Sequence, residues 1–136
     1  MSREMSELAV ELNRGATTVS LRKGTSLFRS GDPVSGVFIV RKGAVTLSLD
    51  APNTIYPPRT LGPGDIAGLP AALTGIYSLS ARATEDSVVG FVPSHKVTEI
   101  LELQPRLALL VMRIMSQEIA GMRSALRATP PLEADE

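Results

Sequence analysis

Residues 17–92 consist of short apolar stretches that alternate with turns containing Gly, Pro or Asp. Val45 and Leu47, for example, alternate with Thr46 and Ser48. A period of two is typical of a strand with one buried face and one solvated face. Many such strands at close spacing favour an antiparallel roll, since that architecture leaves few exposed edges. The sequence therefore predicts an antiparallel β-roll, or jelly roll, over this range.

Helical spacing lies on both sides of the predicted roll. Before it, apolar residues three and four positions apart end at Asn13-Arg14-Gly15, which is a typical helix stop. After Pro93 the helical spacing returns, and Gln104-Pro105 divides it into two helices. The fold class expected is mainly β with flanking α. The predicted elements of a single domain 1–128 are a helix over 2–13, the roll over 17–92, helices over 94–103 and 105–127, and then a tail over 129–136.

Composition excludes several classes of function. The formal net charge is zero, so the chain lacks the basic excess that a general grip on nucleic acid or anionic lipid requires. It has no cysteine, which excludes disulfides, cysteine-ligated zinc, iron–sulfur clusters and a thiol nucleophile. The single histidine, His95, cannot supply the metal-ligand set of a cupin-like enzyme on a similar roll. We therefore predict neither an enzyme nor a metal site.

The beginning of the chain is charged, and no long apolar run follows it. This pattern differs from that of a signal peptide. No stretch approaches the roughly 18 apolar residues that a membrane-spanning helix needs. The sequence therefore predicts a cytoplasmic protein without a membrane partner.

Residues 62–75 form the stretch with the strongest functional interest. A Gly- and Pro-rich turn is followed by Asp65, a short apolar run and a second turn. A short helix that begins at such a turn presents free backbone N–H groups, which can hold an anion. Asp65 beside them could accept hydrogen bonds from a sugar hydroxyl. A tight loop between two strands explains the same residues, so both interpretations stay open at this point.

The last predicted helix has two apolar stripes. The first, which we assign to the domain's own core, consists of Leu103, Leu107, Leu110, Val111 and Ile114. The second has the four-three spacing of a coiled-coil seam. A helix of about 23 residues spans about 35 Å, longer than a small roll can cover, so we predict a homodimer through this second stripe. The alternative is that both stripes fold back on the roll. The second stripe comprises Ala108, Met112, Met115, Ile119, Met122 and Leu126.

Together these segments resemble a cyclic-nucleotide-binding domain, and in particular the sensor half of Crp/Fnr-type bacterial regulators. Residues 23–32 and 36–45 resemble the signature of that roll. Residues 63–69 resemble its phosphate-binding cassette, and residues 80–88 resemble the strand that follows the cassette. The resemblance covers nearly the whole chain.

The resemblance implies a ligand site, with two departures from the family pattern. Members that bind cyclic nucleotides usually carry a Glu that holds the ribose 2′-hydroxyl, and Asp65 at that position is one methylene shorter. The slot of the phosphate-binding arginine falls on Ile76, and losing a desolvated Arg–phosphate pair costs about 2–5 kcal/mol. Arg82, six residues after Ile76, is a possible further ligand residue. Met122 and Arg123 are also possible ligand residues, since they lie where the family contacts the base. The cassette residues assigned to the ligand are Gly64, Asp65, Ile66, Ala67, Ile76, Tyr77 and Ser78.

The function implied is that of a stand-alone regulatory or sensor module with a degenerate cassette. Its effector would be cAMP, cGMP or another small anion, and no resident cofactor is expected. The alternative is a ligand-free protein-interaction or regulatory subunit that has lost nucleotide binding. Crp/Fnr regulators continue into a helix-turn-helix, and no such segment follows the long helix before Glu136. The chain is therefore not expected to bind DNA by itself.

Overall fold

Two four-stranded antiparallel sheets form the body of the protein in a computed structural model. The structure describes the backbone of residues 3–49 and 57–127, and the side chains of residues 7–49 and 57–116. Within these ranges the elements are α1 (Arg3–Asn13), β1 (Thr17–Leu21), β2 (Ser26–Phe28), β3 (Gly36–Lys42), β4 (Val45–Ser48), β5 (Arg59–Leu61), β6 (Ile66–Ala67), α2 (Leu69–Thr74), β7 (Ser80–Ala83), β8 (Ser87–Pro93), α3 (Ser94–Leu103) and α4 (Pro105–Arg127).

The first sheet has the strand order β1-β8-β3-β6, and the second has the order β2-β7-β4-β5. In the second sheet Val45 lies opposite Ala83, and Leu47 lies opposite Ala81. All four side chains are buried, so this side of the sheet is its inner face. The period-two alternation of the sequence thus maps onto an inner and an outer face, and the predicted antiparallel β-roll with flanking helices is confirmed.

The buried apolar residues form two clusters. One lies between the first sheet and the helices, where Leu8 and Leu12 of α1 pack with Leu107 of α4. The other fills the roll and includes Val45 and Tyr77. Each fully buried leucine contributes about 1.5–3 kcal/mol, so the helices are held by apolar packing on one side of the roll. An ion pair between the side chains of Glu7 and Arg106 also links α1 to α4.

The first stripe of the long helix behaves as predicted, with one exception. Leu107, Leu110, Val111 and Ile114 are buried against the domain's own core. Leu103 is 77% exposed, so its assignment to this stripe was wrong. The reason is that α3 ends at Leu103 and a non-helical residue separates it from α4, so the helical phase is not continuous.

The second stripe is described only in part. Met112 is 62% exposed, whereas Met115 packs partly against the cluster that contains α1 and α4 of the same chain. The side chains of Ile119, Met122 and Leu126 lie outside the described residues. The homodimer therefore stays a prediction. Among the described residues, no helix combines the length and the apolar character that crossing a bilayer demands.

Candidate functional site

The cassette, which we define as residues 62–78, begins with a turn held by the main chain. The amide of Asp65 donates to the Gly62 carbonyl at 3.0 Å, and the Gly64 amide donates to the Val40 carbonyl at 2.8 Å. Ile66 and Ala67 then form β6, which pairs with β3. The cassette is thus anchored to the first sheet at its start.

The short helix α2 follows this anchor and is bounded by two glycines. Gly68 at its start has φ 90°, and Gly75 at its end has φ 93°. A left-handed conformation is strained for most residues with a side chain, so glycine fits both positions. Leu69 of α2 is fully buried in the cluster that also contains Val97 of α3. The helix is therefore packed between the cassette turn and the helical layer.

The carboxylate of Asp65 closes the turn on itself. Its Oδ2 atom accepts a hydrogen bond from the Gly62 amide at 3.0 Å. Short acidic side chains commonly satisfy nearby backbone N–H groups in turns in this way. Asp65 is not among the residues that line the cavity beneath the cassette, so the described geometry shows only its role in the turn. Its contact to a ribose stays a prediction.

A small cavity of about 40 Å³ lies beneath the cassette, inside the roll. Of the predicted ligand residues, Ile66, Tyr77 and Ser78 line this cavity. Gly64, Asp65, Ala67 and Ile76 do not belong to its wall. The residues that line it are Phe28, Leu47, Ile66, Gly68, Pro70, Ala71, Tyr77, Ser78 and Leu79.

Tyr77 is the most constrained side chain of the cassette. Its ring is stacked on Phe28 with a centroid separation of 3.8 Å and an angle of 5°. Its hydroxyl donates to the Gly36 carbonyl at 2.6 Å and accepts from the Gly36 amide at 3.1 Å and the Ser35 amide at 3.2 Å. Tyr77 is only 2% exposed, and its hydroxyl is hydrogen-bonded to the main chain. Its side chain therefore occupies the interior beside the cavity in one fixed position.

Ile76, the residue predicted to occupy the arginine slot, faces the other way. It is 56% exposed and forms an isolated bridge with Pro33. Consecutive residues of an extended chain point to opposite sides, so the inward position belongs to Tyr77. The structure therefore brings a neutral phenol to the inside of the cassette and leaves Ile76 at the surface.

None of the described residues that line the cavity carries a charge. Arg82 is exposed and lies between the buried Ala81 and Ala83, so it points away from the roll interior. Arg59 lies opposite Leu47 and is half-buried, but it does not line the cavity and has a partner of its own. The side chains of Met122 and Arg123 lie outside the described residues. The described part of the chain thus brings no guanidinium group to the cavity.

Sequence reasoning did not assign Phe28 or Gly68 to the site. A signal for Phe28 existed, because the chain has only three Phe and two Tyr residues, and aromatic side chains tend to meet in a small core. The sequence carried no signal for Gly68, because its role depends on a tertiary contact: a Cβ atom at this position would lie 3.0 Å from the Tyr77 ring. Among the described residues, no group of three or more His, Asp or Glu side chains could hold a metal ion.

Comparison with known proteins identifies the family. The sequence model of the cyclic nucleotide-binding domain matches residues 18–104. The transcriptional activator protein anr of Pseudomonas aeruginosa is 35% identical over 117 residues, which cover 85% of this chain and 48% of that protein. The corresponding activator of Stutzerimonas stutzeri gives the same values. The chain thus spans about half the length of these curated relatives.

Solved structures support the same assignment. The catabolite activator protein of Thermus thermophilus has a TM-score of 0.73 at 22% identity, covering 94% of this chain and 60% of that chain, which shows the shared fold. A cGMP-bound EAL enzyme has a TM-score of 0.65 at 29% identity, covering 82% of this chain and 30% of that chain. With the family match extending over more than half of the sequence, this chain belongs to the cyclic nucleotide-binding domain family and is similar to the regulators of the Crp/Fnr type.

Proposed function

We propose that the chain is a regulatory module of the Crp/Fnr type whose cassette is kept closed by Tyr77 and takes no cyclic nucleotide. This corresponds to the alternative that the sequence left open, a ligand-free protein-interaction or regulatory subunit, and not to the sensor module that the sequence analysis put first. The observation that carries the proposal is that Tyr77 is buried beneath the cassette and that none of the described residues lining the cavity beside it carries a charge.

Size and charge both support this proposal. The cavity of about 40 Å³ is close to the roughly 30 Å³ that one water molecule occupies in the liquid. Pockets for drug-sized ligands measure about 300–1,000 Å³. A cyclic nucleotide would have to displace Tyr77, and none of the described residues that line the cavity would supply a cation for its phosphate. A buried unpaired charge of this kind is strongly unfavourable.

Without a small effector, the signal would arrive through the cassette surface. Leu73 and Ile76 at its tip are 54% and 56% exposed, so a partner protein could contact them. Leu69 on the same helix is buried in one cluster with Val97 of α3 and Leu107 of α4. A partner that moves α2 would therefore shift the packing of α3 and α4, which is a physical route for transmission.

A second candidate function is the sensing of cAMP, cGMP or another small anion. Two observations favour it: the family match over residues 18–104 and the structural likeness to an enzyme solved in its cGMP-bound form. It requires the cassette to open, for which Gly68 and Gly75 on either side of α2 would act as hinges.

Titration calorimetry with cAMP and cGMP separates the two candidates. The closed cassette predicts no saturable heat up to about 1 mM nucleotide. A dissociation constant in the micromolar range would overturn the closed cassette and favour the sensor.

We also propose that two copies of the chain associate through α4. In the described part of this region, Met112 of the second stripe is 62% exposed, and Leu109, three positions earlier on the same helix, is 57% exposed, so a second copy would cover apolar side chains that now face solvent. The double variant Met112→Lys and Ile119→Lys should elute as a monomer on a sizing column. Ser116→Lys is the control, since Ser116 is exposed and outside the heptad positions. An unchanged elution volume of the double variant would contradict the dimer.

The relation of the chain to its longer relatives gives three further proposals. The curated relatives are named transcriptional activators and are about twice as long as this chain. We propose that the chain corresponds to their regulatory part, acts in the cytoplasm, and does not contact DNA by itself.

A further inference from the structure

The outer face of the second sheet carries a cavity that is much larger than the one beneath the cassette. Its volume is about 290 Å³. The polar and charged side chains that matter for its chemistry are Ser26, Arg29, Thr46, Ser48, Arg82 and Thr84.

Strand register explains why these side chains lie together. Arg82 lies opposite Thr46 on one neighbouring strand and opposite Ser26 on the other. Ser48 lies opposite Ser80, so the outward positions of three adjacent strands all carry hydroxyl or guanidinium groups. The Thr46 hydroxyl is 3.4 Å from that of Thr84, which extends the row of hydroxyls along the sheet.

The two arginines give this face a positive charge on a chain of zero formal net charge. No carboxylate lines the cavity in the described part of the chain, and neither Arg29 nor Arg82 forms an ion pair there. Two acidic side chains close in sequence to lining residues accept from the main chain: Asp32 from the Arg29 amide at 3.2 Å, and Asp86 from the Lys23 amide at 2.9 Å. Among the described residues, no carboxylate forms an ion pair with either guanidinium group of the cavity.

We propose that this outer face binds a small organic anion that combines a phosphate or carboxylate group with hydroxyl groups, of about the size of a sugar phosphate. Guanidinium groups bind such anions through two parallel N–H donors, and the serine and threonine hydroxyls can both donate to and accept from a polyol. The volume is close to the lower end of the range for ligand pockets. The site is separate from the cassette and does not depend on whether the cassette is closed.

NMR titration of the 15N-labelled chain tests the proposal, with inorganic phosphate and glucose 6-phosphate as probes and glucose as the uncharged control. We expect saturable shifts of the amides of Ser48, Arg82 and Thr84 with glucose 6-phosphate, weaker ones with phosphate, and none with glucose. Arg29→Gln and Arg82→Gln should each raise the dissociation constant about tenfold or more, as expected for the loss of one charge-assisted contact.

Arg22→Gln provides the matched control, since Arg22 is exposed and does not line this cavity. The proposal is overturned if no saturable shift occurs up to about 10 mM of either anion. It is also overturned if all three arginine variants weaken binding equally, which would indicate an adventitious ion only. Shifts that appear with an acidic hexapeptide and with neither phosphate probe would overturn it in favour of a protein-docking surface.

Discussion

The two faces of the second sheet differ in chemistry although they share the same strands. On β4, Leu47 points inward and lines the small uncharged cavity of about 40 Å³, while Thr46 and Ser48 point outward and line the polar cavity of about 290 Å³. The positive charge that a phosphate would need is present in the molecule, but Arg82 carries it on the outer face. Along β4, alternation of the side chains therefore decides which of the two cavities a residue lines.

Substitutions on the two faces of the sheet should differ in whether they affect stability or ligand binding. Side chains on the inner face are buried and packed, so their truncation removes contacts and leaves a cavity. Side chains on the outer face are solvated, so their truncation changes the free energy of unfolding little and acts on ligands instead.

The largest loss in the free energy of unfolding is expected for substitution of Tyr77. Tyr77→Ala removes the stack on Phe28 and the hydroxyl contacts to Ser35 and Gly36, and should lower the free energy of unfolding by about 3–5 kcal/mol. Tyr77→Phe keeps the ring but leaves buried backbone groups unpaired, which should cost about 1–3 kcal/mol. Urea unfolding measures both. A loss in the free energy of unfolding below about 1 kcal/mol for Tyr77→Ala would show that the Tyr77 side chain is not tightly packed.

Neighbouring residues on β4 provide the second contrast. Leu47→Ala should lower the free energy of unfolding by about 2–5 kcal/mol, because Leu47 is only 8% exposed in the roll cluster. Thr46→Ala, one position earlier on the outer face, should change it by about 0.5 kcal/mol or less. Both variants can be followed by the same urea series, and equal losses would mean that the two faces are not distinct.

A smaller difference is expected between the two glycines that flank α2. Gly75→Ala introduces only the left-handed strain of about 1–2 kcal/mol, since the new Cβ would meet nothing within 4 Å. Gly68→Ala adds a contact at 3.0 Å to the Tyr77 ring and one at 3.2 Å to the Gly36 carbonyl, so it should cost about 1 kcal/mol more. Thermal or urea unfolding of both variants gives the difference. A cost for Gly68→Ala no greater than that for Gly75→Ala would show that Tyr77 is free to move away from the cassette.

Much of the fold could be predicted because period-two alternation and turn residues record which side chains are buried. The orientation of the cassette side chains could be predicted less well. The arginine slot was counted to Ile76, and the count did not reveal that Ile76 lies at the surface whereas Tyr77 is buried, since burial alternates along an extended segment. The contact of Asp65 to a ligand stays a prediction, and the sequence did not reveal that its carboxylate accepts from the Gly62 amide within the turn. In the helical layer, Leu103 was wrongly assigned to the buried stripe of the last helix, because the apolar spacing was carried across the break at Gln104 although Leu103 belongs to α3.

The central claim is that Tyr77 keeps the cassette closed against cyclic nucleotides. The most direct measurement is the NMR spectrum of the Tyr77 ring and of the Gly68 amide with cAMP or cGMP added to about 1 mM. The account predicts that both sets of resonances stay where they are in the free protein, with the ring still shifted by its stack on Phe28. Saturable movement of the ring and amide signals together would show that a nucleotide enters the cassette, and would contradict the account.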